Sequence, residues 1–185
     1  RKVMRNILLG ISMILPAMFL SACGVFRSEP LTNTQARVEA DKFVEEAETA
    51  YKSASSQMDA IFAEPVGKDK LASIKEKKPK FEQAAADFKI AKDKFSLASA
   101  KFNEAMNGGS AYQSKLHLKF YYLSQAYKKW SELADVEMQL AQEAINIKDI
   151  KSFLSKTGEL EEKAKKLNEE VNQNIESSRN VRAKT

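Results

Sequence analysis

A seven-residue repeat of phenylalanine dominates the middle of this chain. The repeat consists of Phe81, Phe88, Phe95 and Phe102, and alanines lie between the rings at 84, 91, 98 and 105. Residues that recur every three and four positions share one face of an α-helix, so the pattern predicts a long amphipathic helix. Large Phe alternating with small Ala suits a partner helix that approaches closely at the alanines. We interpret this Phe/Ala stripe as core packing and not as an aromatic ligand site.

Proline and glycine residues mark the ends of two predicted helices. A first helix begins near Thr32–Thr34 and ends at Glu64–Gly67, since proline disfavours a helical residue before it and glycine permits a reversal. The Phe/Ala helix ends at Asn107–Gly109. The first helix has apolar or small residues at helical spacing: Ala36, Ala40, Phe43, Ala47, Ala50, Ala54, Met58 and Ile61.

Two boundaries have alternative positions. A third helix follows Gly109, and its apolar stripe changes phase around residues 146–149. This change predicts a fourth helix with Asp149 as its N-cap; a break at Gly158 is the alternative. Within the second helical segment, Pro79 predicts either a kink or a separate short helix that ends near Lys77.

The fold class follows from these lengths. Four helices of roughly 30–38 residues are each about 45–57 Å long at 1.5 Å per residue. Short connections make neighbours antiparallel, so we predict an all-α fold, an up-down antiparallel four-helix bundle. Acidic residues of the first helix, such as Glu46, would then lie near Lys89, Lys92 and Lys94 of the second. Stacked helical hairpins are a minor alternative, because no 34-residue repeat signature recurs.

The beginning of the chain has a different character. Basic residues at positions 1, 2 and 5 precede an apolar run from Ile7 to Leu20, and Leu20-Ser21-Ala22-Cys23 follows. Cys23 is the only cysteine. The order of these segments resembles the signal peptide and lipobox of bacterial lipoprotein precursors.

This resemblance implies cleavage before Cys23 and attachment of a diacylglycerol, usually with an N-acyl chain, to that residue. The domains would be a signal peptide (1–22), a lipidated tether (23–31) and a helical bundle (32–185). Gly24 after the lipidated cysteine is compatible with the outer membrane, facing the periplasm, if the host is Gram-negative. An uncleaved membrane helix fits less well, because it needs about 20 apolar residues and this run is interrupted by Pro16.

Charge and residue counts argue against several function classes. The chain has 30 basic and 25 acidic residues; Arg1, Lys2 and Arg5 leave with the signal peptide, so 27 remain against 25. A nearly neutral domain predicts no nucleic-acid binding. One histidine, His117, and one cysteine exclude a Cys/His zinc site and a paired Glu-x-x-His di-iron site. We therefore predict no catalytic residues, metal or cofactor, and interpret Glu159, Glu161 and Glu162 as solvated.

Two segments are candidates for contact with a partner. One is a lysine cluster at the turn after the first helix, which could contact an anionic surface: Lys68, Lys70, Lys75, Lys77, Lys78 and Lys80. The other is an aromatic concentration in the third helix, where the candidate partner-binding residues are Tyr112, Tyr121, Tyr122 and Trp130. The sequence favours a solvated helix end for the lysine cluster and a buried core for the aromatic residues, and contact with a partner is the second interpretation of each segment.

Together these features predict a lipid-anchored lipoprotein of the cell envelope with a non-enzymatic structural or protein-interaction role. Its partners would be the membrane, through Cys23, and an envelope protein that the sequence does not identify. The alternative is a carrier that binds an apolar small molecule between its helices. An enzyme would require a cleft that brings His117 together with a carboxylate.

Overall fold

A computed structural model describes residues 34–65, 67–107 and 114–183. These residues form the helices α1 (Thr34–Ala63), α2 (Lys70–Glu76), α3 (Lys78–Asn107), α4 (Ser114–Ile145) and α5 (Ile150–Ala183). No strand occurs in these ranges, so the all-α prediction is confirmed. The predicted signal peptide, Cys23, the tether and Tyr112 lie outside the described residues.

Local capping decides the two boundaries that the sequence left open. The side chain of Asp149 accepts a hydrogen bond of 2.8 Å from the backbone N–H of Ser152, so Asp149 caps α5 as predicted. Gly158 lies inside α5. Pro79 is the second residue of α3, where a missing N–H has no intrahelical partner to lose, and α2 is a separate short helix. The alternative of a kinked helix at Pro79 is therefore wrong.

Side-chain contacts establish which helices are neighbours. Glu39 and Glu46 of α1 pair with Lys101 and Lys94 of α3, at 2.7 and 2.5 Å between charged atoms. The later residue of α1, Glu46, pairs with the earlier residue of α3, Lys94, so the two helices are antiparallel. The predicted pairing of Glu46 with Lys94 is confirmed, whereas Lys92 bonds instead to Asp135 of α4, at 2.8 Å.

The two later helix pairs are also antiparallel. Phe102 of α3 meets Phe120 of α4, with ring centroids 5.9 Å apart, and the Lys92–Asp135 bond lies farther along. Between α4 and α5, Lys129 pairs with Glu170 at 2.9 Å and Glu143 pairs with Lys156 at 3.1 Å. Extensive packing thus joins α1 to α3, α3 to α4, and α4 to α5.

The Phe/Ala stripe lies in the core. All eight of its residues are at most 2% exposed, which confirms its assignment as packing surface. The ring of Phe95 stacks on Trp130 and Tyr127 of α4, with centroids 5.5 and 6.0 Å away. Tyr51 of α1 completes this group, since its ring lies edge-on to Trp130 at 5.3 Å. The aromatic cluster therefore joins α1, α3 and α4.

The buried face of α1 differs from the predicted one at two positions. Val44 and Tyr51 are buried, whereas Phe43 and Ala50 are only partly buried at the edge of the core. Helix α1 packs against α3 and also contacts α4 through Tyr51. At these two points the buried residue is therefore one position later in the sequence than predicted. Phe43 is instead covered by Lys94, whose ammonium lies 5.2 Å from the ring centroid.

A pair of serines marks the close approach of α3 and α4. The Ser99 hydroxyl donates to the Ser124 carbonyl at 2.9 Å, and the Ser124 hydroxyl donates to the Ser99 carbonyl at 3.0 Å. Ser131 likewise donates to the Lys92 carbonyl at 2.9 Å. A serine hydroxyl reaches the backbone of the opposite helix only where α3 and α4 lie close together, and this requires small residues between them. The alanines of the Phe/Ala stripe meet the same requirement.

Enlarging an alanine of the stripe tests this close packing. Ala91→Leu is expected to lower the free energy of unfolding by about 1–3 kcal/mol, because the site is fully buried and extra methyl groups force neighbouring side chains apart. Ala100→Leu makes the same change at an exposed position of the same helix and should be nearly neutral. Urea denaturation followed by circular dichroism measures both; similar losses in the two variants would contradict close packing at Ala91.

Candidate functional site

The candidate aromatic residues separate into core and surface. Trp130 is 3% exposed and packs against Tyr51 and Phe95, so this candidate lies in the core and not on the surface. Its position on the stripe that faces both α1 and α3 explains the burial. Tyr121, by contrast, is 45% exposed, and Tyr122 is half-buried with its ring edge-on to that of Tyr121 at 5.6 Å. Tyr121 and Tyr122 therefore remain as surface candidates.

Helix α4 has apolar residues on two sides, and α5 covers most of the second side. The residues of this side that are buried are Ala126, Leu133, Leu140 and Ala144, and Ile147, just after the end of α4, is buried as well. Ala164, Leu167 and Val171 of α5 are buried as well. Near the start of α4 the pattern changes, since Leu118 is 43% exposed. The apolar surface left open on α4 is thus confined to its first two turns.

Positive charge surrounds this open surface. Residues 105–131 contain no Asp or Glu, and Lys115, His117 and Lys128 of α4 are exposed. The first turn of α4 has no acidic residue to balance the positive end of the helix dipole. Partial burial raises the pKa of Asp41 in α1, and the positive charges of Arg37 and then Lys119 oppose this rise, which places Lys119 near that carboxyl. We call Lys115, Leu118, Tyr121 and Lys128 the α4 surface.

The apolar residues of the α4 surface, Leu118 and Tyr121, lie at the end of the molecule where α1 begins. The Glu39–Lys101 ion pair places the first turns of α1 beside the last turns of α3. The Phe102–Phe120 contact then places the last turns of α3 beside the first turns of α4. Val38, which is 61% exposed, is at this same end.

The lysine cluster lies at the opposite end and is partly neutralised. The ammonium of Lys77 donates to the carbonyl of Ile61 at 2.8 Å, and it pairs with the carboxylate of Glu64 at 3.5 Å. Lys77 therefore satisfies a carbonyl in the last turn of α1, which is a structural role. Lys80 also pairs with Glu64, and these contacts hold the pKa of Glu64 below its ordinary value. The exposed members without a bond to Glu64 are Lys68, Lys70, Lys75 and Lys78.

A group of carboxylates between α1, α4 and α5 is a feature that the sequence analysis missed. Burial, together with the nearby carboxylates of Glu161 in α5 and Asp59 in α1, raises the pKa of Glu137 in α4 to about 7. Burial also raises the pKa of Glu161, which is half-buried and therefore less solvated than predicted, whereas Glu159 and Glu162 are exposed as predicted. A signal was present in the sequence, because Glu137 follows Trp130 and Ala134 at helical spacing on the buried stripe.

The chemistry available to these groups is limited. Within the ranges that the structure describes, no group of three or more His, Cys, Asp or Glu side chains could hold a metal ion. His117 is exposed on the first turn of α4. The raised pKa values make the stability of the fold depend on pH, because folding then couples to proton binding.

Comparisons with known proteins give no family for this chain: no family model, no curated protein and no solved structure matches it. Among the described helices, none combines the length and the apolar character that crossing a bilayer requires.

Proposed function

We propose that this protein is a lipid-anchored lipoprotein of the cell envelope, in which a helical domain has a non-enzymatic structural or protein-interaction role. The observation that carries the proposal is Leu20-Ser21-Ala22-Cys23 placed directly after a basic and then an apolar segment. Acylation of Cys23 would anchor the domain to a membrane, which is the outer membrane in a Gram-negative host. One acyl chain binds only weakly, so the diacylglycerol and N-acyl chains together provide stable anchoring.

We also propose that the four long helices form one up-down bundle that stands as a rod beside the membrane. The antiparallel pairs α1–α3, α3–α4 and α4–α5 support this arrangement. At 1.5 Å per residue, the 30 residues of α1 give the rod a length of about 45 Å. The lysine cluster would then lie at the end far from the anchor.

The packing of the aromatic rings supports a structural role over the alternative of a carrier. A carrier needs an apolar cavity between its helices. Here the ring of Phe95 stacks on those of Tyr127 and Trp130, and Phe102 stacks on Tyr127 at 5.4 Å between centroids. The place where an apolar ligand would lie between α3 and α4 is filled by these side chains.

Lipidation can be tested directly. In the expressing bacterium, mass spectrometry of the mature protein should find an N-terminal Cys23 that carries diacylglycerol. Cys23→Ser should abolish both cleavage and anchoring, and reduce the membrane-bound fraction at least tenfold, because no other cysteine can accept the lipid. Ser28→Ala, in the predicted tether, is the control and should remain membrane-bound. A mature protein with a bare Cys23, or with a different N-terminus, would refute the proposal.

A further inference from the structure

Exposed apolar side chains lie at the end of the molecule that is nearest to the anchor. Leu118 and Tyr121 lie on the first two turns of α4, and Val38 lies on the first two turns of α1. Tyrosine combines apolar area with a polar hydroxyl, which suits a boundary between water and hydrocarbon. Leu118 and Tyr121 are three residues apart and so project from neighbouring positions on the helix.

The charge around Leu118 and Tyr121 is positive and not balanced within α4. Lys115 and Lys128 are exposed on the same half of the helix, and the nearest acidic residues in the sequence are Glu104 and Glu132. Glu104 is already paired with Lys101 at 2.8 Å, and Glu132 with Lys129 at 3.0 Å. The side chains of the α4 surface therefore favour an anionic partner that also accepts apolar groups.

The length of the tether identifies that partner. Thr34, the first residue of α1, is eleven residues after Cys23, so a fully extended tether spans at most about 40 Å at 3.3–3.6 Å per residue. A tether this short keeps the start of α1, and the α4 surface beside it, close to the bilayer that holds the lipid. Anchoring also raises the effective concentration of the bilayer, so individually weak contacts suffice for binding.

We propose that the α4 surface docks onto the anionic phospholipid bilayer to which Cys23 is anchored. Leu118 and Tyr121 enter the interface, while Lys115 and Lys128 contact the phosphates of the headgroups. Long lysine side chains suit this position, since their stems lie along apolar surface while the ammonium reaches the charged layer. This inference rests on the proposed function, because the anchor brings the surface to the membrane.

Single cysteine reporters test the docking in the lipidated protein. Acylation consumes Cys23, so a cysteine introduced elsewhere is the only free thiol. In the Leu118→Cys variant, an environment-sensitive fluorophore is attached to the new thiol. The labelled protein is then placed in vesicles of phosphatidylethanolamine and phosphatidylglycerol that also contain a quencher-labelled lipid. Ile90→Cys is the matched control, because Ile90 is also an exposed aliphatic residue, on α3 about 25 Å from the end of that helix.

The label at position 118 should be quenched at least threefold more than the label at position 90. The difference should shrink when Lys115 and Lys128 are both changed to Glu, or when the vesicles contain phosphatidylcholine alone. Equal quenching at the two positions, with mass spectrometry showing acylated Cys23, would overturn the docking but leave the anchor intact. The docking would also be overturned if the label at position 118 were not quenched in vesicles while the thiol at position 118 were protected from labelling in native envelope membranes. That result would favour a protein partner. An unmodified Cys23 would instead contradict the proposed function itself.

Discussion

Replacing Phe95 with alanine is expected to lower the free energy of unfolding by about 3–5 kcal/mol. Phe95 is fully buried at the centre of the aromatic cluster, where its ring contacts Tyr51, Tyr127 and Trp130. The loss combines the transfer of the ring to water with the cavity left between three helices, and the contacts between the aromatic rings are lost as well. Because these rings come from α1, α3 and α4, the neighbouring side chains cannot close the gap without moving a helix.

The exposed leucine of the same helix provides the control. Leu97 is 44% exposed two residues from Phe95, so Leu97→Ala should change the free energy of unfolding by less than about 1 kcal/mol. Urea denaturation followed by far-ultraviolet circular dichroism gives both values. The near-ultraviolet signal of Trp130 should also weaken in Phe95→Ala alone. Equal losses in the two variants would mean that Phe95 does not lie at the centre of a packed core.

The second expected result concerns pH. The folded protein holds the pKa of Glu137 at about 7, above the ordinary 4.5, because burial and the nearby Glu161 and Asp59 disfavour the charged form. The folded state therefore binds a proton that the unfolded state releases, and stability falls as pH rises. The contribution is fully present below about pH 4.5, declines between 4.5 and 7, and is lost above 7, with a total of about 2–3 kcal/mol for this half-buried group.

Glu137→Gln removes the titrating group and keeps the shape of the side chain. At pH 8 the variant should be about 2 kcal/mol more stable than the natural protein, whereas at pH 5 the two should be nearly equal, since Glu137 is then already neutral in the folded state. Some pH dependence should remain, because burial also raises the pKa of Glu48 to about 7.

Glu169→Gln, at an exposed position of α5, is the control and should leave the pH dependence unchanged. The measurement is the free energy of unfolding in urea from pH 4.5 to 8.5. A variant whose stability follows the same curve as the natural protein would show that Glu137 does not take up the proton.

Periodicity was the most reliable signal in this sequence. The Phe/Ala stripe predicted both a helix and its buried face, because residues seven positions apart fall on the same side of a helix. Capping chemistry was nearly as informative, since Asp149 has the side chain to bond a free N–H of the next helix. Pro79 was ambiguous because proline both ends one helix and begins another.

The candidate site was harder to predict from composition. An aromatic residue has the same sequence signal in a core and at an interface, so only the helices around it separate the buried Trp130 from the exposed Tyr121. Lys77 was grouped with the neighbouring lysines because a local pattern does not reveal its structural role. That role is a hydrogen bond to the carbonyl of Ile61, sixteen positions earlier in the chain.

The sequence by itself determined the helical fold class and most of the helix boundaries, because helical spacing, caps and breakers act over a few residues. The tertiary structure decided which side chains are exposed and which carboxylates have raised pKa values. Val44, Tyr51 and Glu137 acquire their environments from helices that are distant in sequence. Burial and electrostatics depend on the distance through space between elements, and no local pattern specifies that distance.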